Sequence, residues 1–425
     1  MLVQFTFNNY KCFKDDTVMN LVASAAASNS HYARKSGNGL SLLKSLAVFG
    51  ANASGKTKLF DALAFMQCVV CPPKRDGKVP IFDFWQMKYD AFRLNTYSAD
   101  HESSFEIIFI LDKVQYRYGF SLDKTQIVSE WLYVKKQRES LVFSREGADI
   151  TIKGNQLSEK IFKNIESAGM LSRAIPLIAI MATFSDALCT KIVDWMSSIM
   201  VISANDLRPL QLLEPDKKSA IIKFMKAFDI NIEDLAPHEV EYDQIPGKIQ
   251  FLLSNRKADG KLYDGFHAMH KVYDEMYNRV DSTNFSLELD ESFGTNRLLG
   301  MAWHIISSLR NGTLLLIDEF DSGIHPYIIK TIIELYYKSA TDAQVVINSH
   351  NTSLLNAKDD SGMPLFKKDQ IYVVNKNRYG ESSLTPITDY SNDLRANLEK
   401  YYLNGDISGV PYVDTDALLN DIVNK

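Results

Sequence analysis

The sequence predicts an α/β protein with a mixed sheet, an antiparallel β subdomain and an inserted, mostly helical domain. Apolar strands alternate with helical segments after residue 286, strand-like patterns fill residues 92–143, and helical periodicity dominates residues 155–280. Strands that alternate with helices form largely parallel sheets. We therefore expect three parts in the 425-residue chain: an N-terminal half of the main domain (1–150), a helical insertion (151–285) and a C-terminal half (286–425).

The N-terminal half begins with strands and a glycine-rich turn. Residues 2–8 alternate with a period of two, and residues 17–24 form a second strand candidate. Residues 28–44 are rich in Ser, Asn and Gly, which is typical of a loop. A short apolar strand at 46–49 leads into the turn, and a helix follows over residues 56–68.

The middle of the chain passes from strands to helices. After a linker at 72–80, apolar runs separated by turn signals predict an antiparallel meander. Its strands are 105–111, 116–120, 131–134 and 141–143, with turns at 112–113 and 123–124. In the helical region Ile221, Phe224, Met225 and Phe228 share one helical face, which indicates a core stripe.

The C-terminal half alternates helices with strands. The helices are expected at 296–309, 326–338 and 392–403. The strands are expected at 313–317, 343–348 and 370–375, the last one in the chain. Strands 313–317 and 343–348 are nearly continuously apolar, as central strands of a parallel sheet are.

Composition indicates a globular protein of the reducing cytoplasm. The chain has 47 Lys and Arg against 52 Asp and Glu, so its net charge is −5 and no global positive field favours nucleic acid. Cys68 and Cys71 have half of a zinc-site spacing, but no second Cys or His pair answers them. Residues 1–5 do not resemble a signal peptide, and the most apolar stretch, 174–181, is too short to span a bilayer.

The glycine-rich turn reads Gly50-Ala51-Asn52-Ala53-Ser54-Gly55-Lys56-Thr57 and matches the G-x-x-x-x-G-K-T phosphate loop. It lies between a strand and a helix, the context that the motif requires. Its glycines let the backbone approach phosphates, and the amides at the helix start donate to them. We expect Lys56 to reach the β- and γ-phosphates of ATP and Thr57 to bind Mg²⁺. The residues expected to contact the nucleotide are Gly50, Ala51, Asn52, Ala53, Ser54, Gly55, Lys56, Thr57 and Lys58.

Two acidic residues follow the apolar strand at 313–317. Asp318 and Glu319 would lie at the carboxyl end of a central strand, where open α/β sheets bind ligands. Asp318 suits the Mg²⁺ shell, and Glu319 suits polarisation of the attacking water. One strand further, His350 follows residues 344–349 and could donate a hydrogen bond to the γ-phosphate.

A short motif, Glu291-Ser292-Phe293-Gly294-Thr295, precedes a predicted helix. Read by itself it is a helix cap with a small flexible residue, which also makes it a potential anion site.

The order of these motifs resembles that of ABC-type ATPases, in which an ABC signature precedes the helix before the Asp-Glu strand. The version here resembles the SMC/RecF/OLD branch and, more closely, the RloA or AbiLi type (AriA-like) found in prokaryotic anti-phage loci. The resemblance covers nearly the whole chain. It rests on residues 116–120, 127–132, 291–299, 317–326, 348–351 and 398–405.

The resemblance implies an ABC-type head that faces a second copy of itself. Ser292, Gly294 and Thr295 of each copy would then complete the ATP site of the other, and Asp321 would belong to the loop that couples the sites. Thr295 stands where transporters usually carry Gln. No convincing glutamine loop is visible; Gln86 and Gln115 are only candidates.

The functional hypothesis is a slow ATPase that acts as sensor or scaffold for a separate effector, a nuclease or toxin encoded in the same locus, with DNA or a phage protein as further partners. The chain shows no effector of its own, because we interpret Asp414-Thr415-Asp416 as a surface turn rather than a Toprim metal pair. The first alternative is a RecF-like DNA-repair ATPase, for which residues 135–138 and 217–218 could supply positive charge. The second is a transporter ATPase, which the strands at 92–143 and the helices expected at 155–280 disfavour, because transporter subunits carry a compact insert.

Overall fold

The structure is a computed structural model that describes residues 1–410 except 26, 29, 76–78, 83, 203–213, 242–260 and 391–396. The chain divides into two compact units. The first comprises Met1–Val201, Asn311–Phe320 and Lys330–Lys425, and the second comprises Ile202–Arg310 and Asp321–Ile329. The interpretation of residues 414–416 as a surface turn concerns positions outside the described residues.

The described strands and helices follow in chain order. The strands are β1 (Leu2–Asn8), β2 (Thr17–Asn20), β3 (Ala33–Lys35), β4 (Ser41–Leu43), β5 (Ser45–Phe49), β6 (Lys74–Arg75), β7 (Val79–Pro80), β8 (Ser103–Leu111), β9 (Val114–Leu122), β10 (Ile127–Lys135), β11 (Glu139–Glu146), β12 (Asp149–Ile152), β13 (Met200–Ile202), β14 (Asp234–Glu241), β15 (Lys261–Tyr273), β16 (Arg279–Ser286), β17 (Leu314–Ile317), β18 (Gln344–Asn348), β19 (Ile371–Lys376) and β20 (Ser382–Pro386). The helices are α1 (Lys56–Val70), α2 (Glu159–Ser167), α3 (Leu177–Thr183), α4 (Ala187–Ser197), α5 (Pro215–Ala227), α6 (Phe293–Asn311), α7 (Pro326–Lys338) and α8 (Leu398–Leu403).

A six-stranded sheet with the order β13-β17-β18-β5-β19-β20 carries the predicted motifs. β17, β18, β5 and β19 pair in parallel, and β20 adds an antiparallel edge. Every residue of β17, β18 and β5 is buried, which explains their continuous apolar sequences. Because these strands are parallel, their carboxyl ends meet at one edge of the sheet.

A seven-stranded antiparallel sheet, β12-β11-β10-β9-β8-β1-β2, forms the rest of the first unit's framework. Buried and less buried positions alternate along β1 and β8, so one face of this sheet enters the hydrophobic core. The β8–β9 turn consists of Asp112 and Lys113, with φ of 48° and 67°, as the twist of a two-residue hairpin requires. The α/β class, with its mixed sheet and the predicted antiparallel meander, is thereby confirmed.

The second unit contains α5, the antiparallel sheet β14-β15-β16 and most of α6. The expectation that residues 155–280 are mostly helical is therefore wrong for Asp234–Glu241 and for Lys261 onward. β16, Arg279–Ser286, is largely exposed and has no apolar alternation. Its extended form follows from hydrogen bonding to β15, a long-range pairing that local periodicity does not record.

Three smaller expectations are also corrected. The loop predicted at 28–44 contains the β3–β4 hairpin, whose residues Leu42 and Leu43 are fully buried. The second strand ends at Asn20. The strand at 370–375 is followed by β20, a Ser- and Thr-rich edge strand that pairs with β19. Within the described residues, no helix combines the length and the apolar character needed to cross a bilayer.

Candidate nucleotide site

A cleft of about 840 Å³ opens at the carboxyl ends of β5, β17 and β18. It brings together residues that are far apart in the sequence, since the loop after β5 meets the acidic pair after β17 and the histidine after β18. The predicted residues that line it are Asn52, Ala53, Ser54, Gly55, Lys56, Thr57, Lys58, Asp318, Glu319 and His350.

The two motif glycines of the loop are required by its geometry. Gly50 has φ of 152°, and a Cβ there would lie 2.4 Å from the carbonyl oxygen of Val374 in β19. Gly55 has φ of 117°, and a Cβ there would lie 2.8 Å from Cys12 Sγ. Neither position accepts a side chain without displacing its neighbour.

Lys56 is folded into the loop. Its buried ammonium donates hydrogen bonds to the carbonyl oxygens of Gly50 at 2.8 Å and Ala51 at 2.9 Å. A phosphate oxygen would offer these donors a charged acceptor, and hydrogen bonds that involve a charged group are roughly twice as strong as those between neutral groups. The loop therefore presents a cation where the motif predicts the β- and γ-phosphates.

Thr57 and Asp318 form a pair of oxygen donors. The Thr57 hydroxyl lies 3.0 Å from each carboxylate oxygen of Asp318, although the two residues are 261 positions apart. Hydroxyl and carboxylate oxygens, supplemented by phosphate and water, are the ligands that Mg²⁺ takes in nucleotide sites. These two residues therefore fit the metal role that the sequence predicts for them.

Asn348, the last residue of β18, connects both acidic residues, a role in the site that the sequence did not predict for it. Its amide nitrogen donates to Asp318 Oδ1, and its Oδ1 accepts from the backbone N–H of Glu319 at 2.5 Å. Glu319 has φ of 48°, a left-handed conformation that costs a non-glycine residue about 1–3 kcal/mol. The buried amide thus fixes the Asp318 carboxylate and the strained backbone of Glu319 together.

One polar atom in the cleft points to a ligand. The Ser54 hydroxyl is buried and has no hydrogen-bond partner. Leaving a buried hydroxyl unsatisfied costs about 1–3 kcal/mol. A phosphate oxygen in the loop would satisfy it, so the residues present fit a nucleotide.

The back of the loop rests on the C-terminal part of the chain. Tyr402 in α8 is buried, its hydroxyl donates to the Gly409 carbonyl at 2.9 Å, and it lies within hydrogen-bonding reach of the Gly50 backbone. Burial raises the pKa of Tyr402 to about 12. From the other side, the Ser382 hydroxyl donates to the Ser54 carbonyl at 2.6 Å. These contacts hold the loop without touching the cleft.

Ser292, Gly294, Thr295 and Asp321 belong to the second unit. Ser292 caps α6, because its hydroxyl accepts from the Thr295 N–H at 3.1 Å, as the motif predicts. A Cβ at Gly294 would lie 2.4 Å from the carbonyl oxygen of Gly323. The loop after Asp321 therefore packs directly on the start of α6 inside this unit.

Other residues of the cleft were not predicted. Lys11, Cys12 and Arg93 come from loops whose sequences carry no motif, so only the fold reveals their place beside the phosphate loop. Neither glutamine-loop candidate lines the cleft: Gln86 donates to the Thr125 carbonyl, and Gln115 accepts from Asn38.

A family model and several solved structures are similar to this chain. The model of a family described as "AAA domain, putative AbiEii toxin, Type IV TA system" matches residues 45–157 and 196–356, more than half of the chain. These ranges include the phosphate loop, Asp318, Glu319 and His350. No protein with a curated description matches.

Solved structures of SMC heads are similar to the chain. An SMC head bound to the C-winged helix domain of ScpA is 13% identical, covers 90% of this chain and 97% of its own, and has a TM-score of 0.36. The SMC head domain from Thermotoga maritima is 12% identical, covers 91% of this chain and 98% of its own, and has a TM-score of 0.39. An SMC head domain with an extended coiled coil bound to the C-terminal domain of ScpA, derived from Pyrococcus furiosus, is 13% identical. It covers 94% of this chain and 97% of its own, with a TM-score of 0.36.

Proposed function

The chain belongs to the AAA domain family whose model it matches, and from this premise we propose that it binds and slowly hydrolyses ATP in the cleft after β5. The observation that carries the proposal is the convergence of Lys56, Thr57, Asp318 and Glu319 on one cleft that also contains the unpartnered hydroxyl of Ser54. Each of these groups meets a different need of phosphoryl transfer to water.

Each residue of the cleft has a separate role in the proposed reaction. Lys56 and the amides at the start of α1 bind the phosphates, and Lys58 lies beside them with its ammonium 2.9 Å from Asp61. Thr57 and Asp318 hold a Mg²⁺ ion, whose charge neutralises phosphate oxygens. Glu319 orients the attacking water and accepts its proton. His350, exposed at the rim, donates a hydrogen bond to the γ-phosphate.

We further propose that a second copy of the chain completes the site. The start of α6 offers backbone donors and the Ser292 hydroxyl at a helix N-terminus, which suits a γ-phosphate. Ser292, Gly294 and Thr295 of one copy would close on ATP held by the other, with Asp321 in the coupling loop. We also propose that the chain has three parts: an N-terminal half of the ATPase head (1–150), an insertion (151–285) and a C-terminal half of the head (286–425). The insertion is partly β-structured.

ATP then acts as a switch for a separate effector. The proposal is that closure of two copies on ATP controls a nuclease or toxin of the same locus in an anti-phage system. The family description, which names a toxin and a toxin–antitoxin system, supports a defence role. The residues of the cleft support only the ATPase part.

Phosphate release by the purified chain tests the ATPase. We expect slow, Mg²⁺-dependent turnover that Lys56→Ala and Glu319→Gln abolish, whereas Glu319→Gln still binds ATP. Lys136→Ala, at an exposed turn of the antiparallel sheet, is the matched lysine control. Turnover that survives both active-site changes would contradict the proposal.

Co-purification of the neighbouring gene product tests effector control. We expect this gene product to bind the wild-type chain in a manner that depends on ATP. Lys56→Ala should release the gene product or alter its binding. If no locus partner binds with or without ATP, and Lys56→Ala leaves phage protection intact, the effector hypothesis fails while the ATPase proposal stands.

A further inference from the structure

A second cleft of about 830 Å³ lies in the first unit beside the phosphate-loop cleft. Its walls come from the β1–β2 connection, from one side of α1 and from residues 87–93, with Lys124 at the β9–β10 turn. None of the motifs described above contributes to it. We call it the lateral cleft.

The lateral cleft is locally positive although the chain is net negative. Its ionisable lining consists of four cations, Lys11, Lys88, Arg93 and Lys124, against two carboxylates, Asp61 and Asp90. The chain as a whole carries a charge of −5. An excess of one sign of charge in a concave site concentrates ligands of the opposite sign, so this excess of two positive charges favours an anion.

Aromatic side chains form part of the same cleft. Tyr10 and Phe65, whose ring centroids lie 5.0 Å apart, are buried in the hydrophobic core. The ring that the cleft exposes is therefore that of the half-buried Tyr89, whose centroid lies 6.0 Å from that of Phe65. The Lys11 ammonium lies 5.8 Å from the Tyr10 ring centroid. Positive charge beside a partly exposed aromatic ring is a combination that binds phosphate together with a planar base.

We propose that the lateral cleft binds a nucleoside monophosphate group. The cations would hold the phosphate, and the ring of Tyr89 would contact the base. A free nucleotide and the phosphorylated end of a single nucleic-acid strand both present this chemistry. The proposal goes beyond ATP hydrolysis and does not depend on it.

The two clefts share three residues, which gives the lateral cleft a route to the nucleotide site. Lys11, Asp90 and Arg93 line both clefts. The Asp90 backbone carbonyl accepts a hydrogen bond from the Lys11 backbone N–H at 2.8 Å. The Asp90 carboxylate pairs with the Arg93 guanidinium at 2.7 Å and with the Lys11 ammonium at 3.8 Å. A phosphate in the lateral cleft would compete with Asp90 for both cations, so its binding should change the affinity of the other cleft for ATP.

Calorimetric titration tests the site on the full chain, with the phosphate loop saturated by a non-hydrolysable ATP analogue and Mg²⁺. The probes are AMP, a 5′-phosphorylated oligo-dT of four nucleotides and the same oligonucleotide with a 5′-hydroxyl. We expect saturable binding of a phosphorylated probe, with a preference for AMP indicating a free nucleotide and a preference for the phosphorylated strand indicating a strand end. Equal binding of the 5′-hydroxyl strand, or no saturable binding, would overturn the proposal.

Charge reversal locates the binding. Lys88 and Lys124 are exposed and line only the lateral cleft, so Lys88→Glu with Lys124→Glu should weaken the phosphorylated probe by at least about tenfold. Lys153→Glu with Lys160→Glu, exposed lysines beside β12 and in α2 that line neither cleft, is the matched control and should change binding less than about twofold. The same loss in both pairs would mean non-specific attraction and would overturn the site. Repeating the AMP titration on Lys56→Ala keeps this test separate from ATP binding.

Discussion

Asn348→Ala is the substitution whose effects follow most directly from the site. The side chain is fully buried, and it holds the Asp318 carboxylate by its amide nitrogen and the Glu319 N–H by its amide oxygen. Alanine removes both bonds and leaves a buried carboxylate oxygen and a strained N–H without these partners. Each such loss costs about 1–3 kcal/mol, so for the two bonds we expect the free energy of unfolding to fall by about 2–6 kcal/mol.

The larger effect of Asn348→Ala should be on catalysis. Thr57 still donates to Asp318, and the phosphate loop is untouched, so ATP binding should change little. Glu319, however, loses the bond that fixes its backbone at φ of 48°. A displacement of about 1 Å at a reacting group can lower the turnover rate by about 100-fold.

The assay pairs phosphate release with denaturant unfolding, and Gln370→Ala supplies the control. Gln370 is also fully buried and donates to the Ser45 carbonyl and to the Tyr337 hydroxyl. It lies in the turn just before β19, beside the same sheet, and does not line the cleft. We expect a similar loss of stability with turnover per folded molecule near wild type. If folded Asn348→Ala hydrolyses ATP at the wild-type rate, Asn348 does not position the acidic pair.

Three further outcomes are expected. Gly50→Ala should abolish ATP binding even where the chain folds, because its Cβ would meet the Val374 carbonyl at 2.4 Å; equilibrium binding of a fluorescent ATP analogue checks this, and normal affinity would contradict it. Burial raises the pKa of the Cys71 thiol from 9.0 to about 12. At pH 8 the thiolate fraction of Cys71, and hence its rate of alkylation, should be about 1000-fold lower in the folded chain than in the urea-unfolded chain. Peptide mass spectrometry can measure this rate. Burial also raises the pKa of Tyr402 from its unfolded value of 10.0 to about 12. The stability that this residue contributes is therefore complete below pH 10 and is lost as the pH rises towards 12. In denaturant titrations between pH 9 and pH 11.5, Tyr402→Phe should lose less stability than the wild type.

The parts of the fold that sequence predicts well are those whose signals are local. The apolar run of β17 and the turn at Asp112 can be recognised because burial on both faces and a hairpin twist constrain adjacent residues. β16 and β20 could not be predicted in this way. Both are polar strands that exist because a neighbouring strand pairs with them, and that pairing leaves no period in their own sequences.

The same distinction applies to the site. Lys56, Thr57, Asp318 and Glu319 are recognisable because phosphate and metal chemistry restricts the residue types and their spacing. Asn348 acts through hydrogen bonds to residues 29 and 30 positions away. Its place at the end of an apolar strand was visible, but its function depends on which strands are neighbours, which only the sheet order shows.

Complementation between two inactive variants tests most directly whether two chains share each ATP. Glu319→Gln keeps ATP bound but lacks the residue proposed to activate water, and Ser292→Arg blocks the surface proposed to close on the partner's ATP. If the sites are composite, a mixture of the two chains forms heterodimers with one intact site, and ATPase activity should return to about a quarter of the wild-type rate. If the mixture stays as inactive as its components, while mass measurement shows that mixed dimers form, each chain does not complete the ATP site of the other.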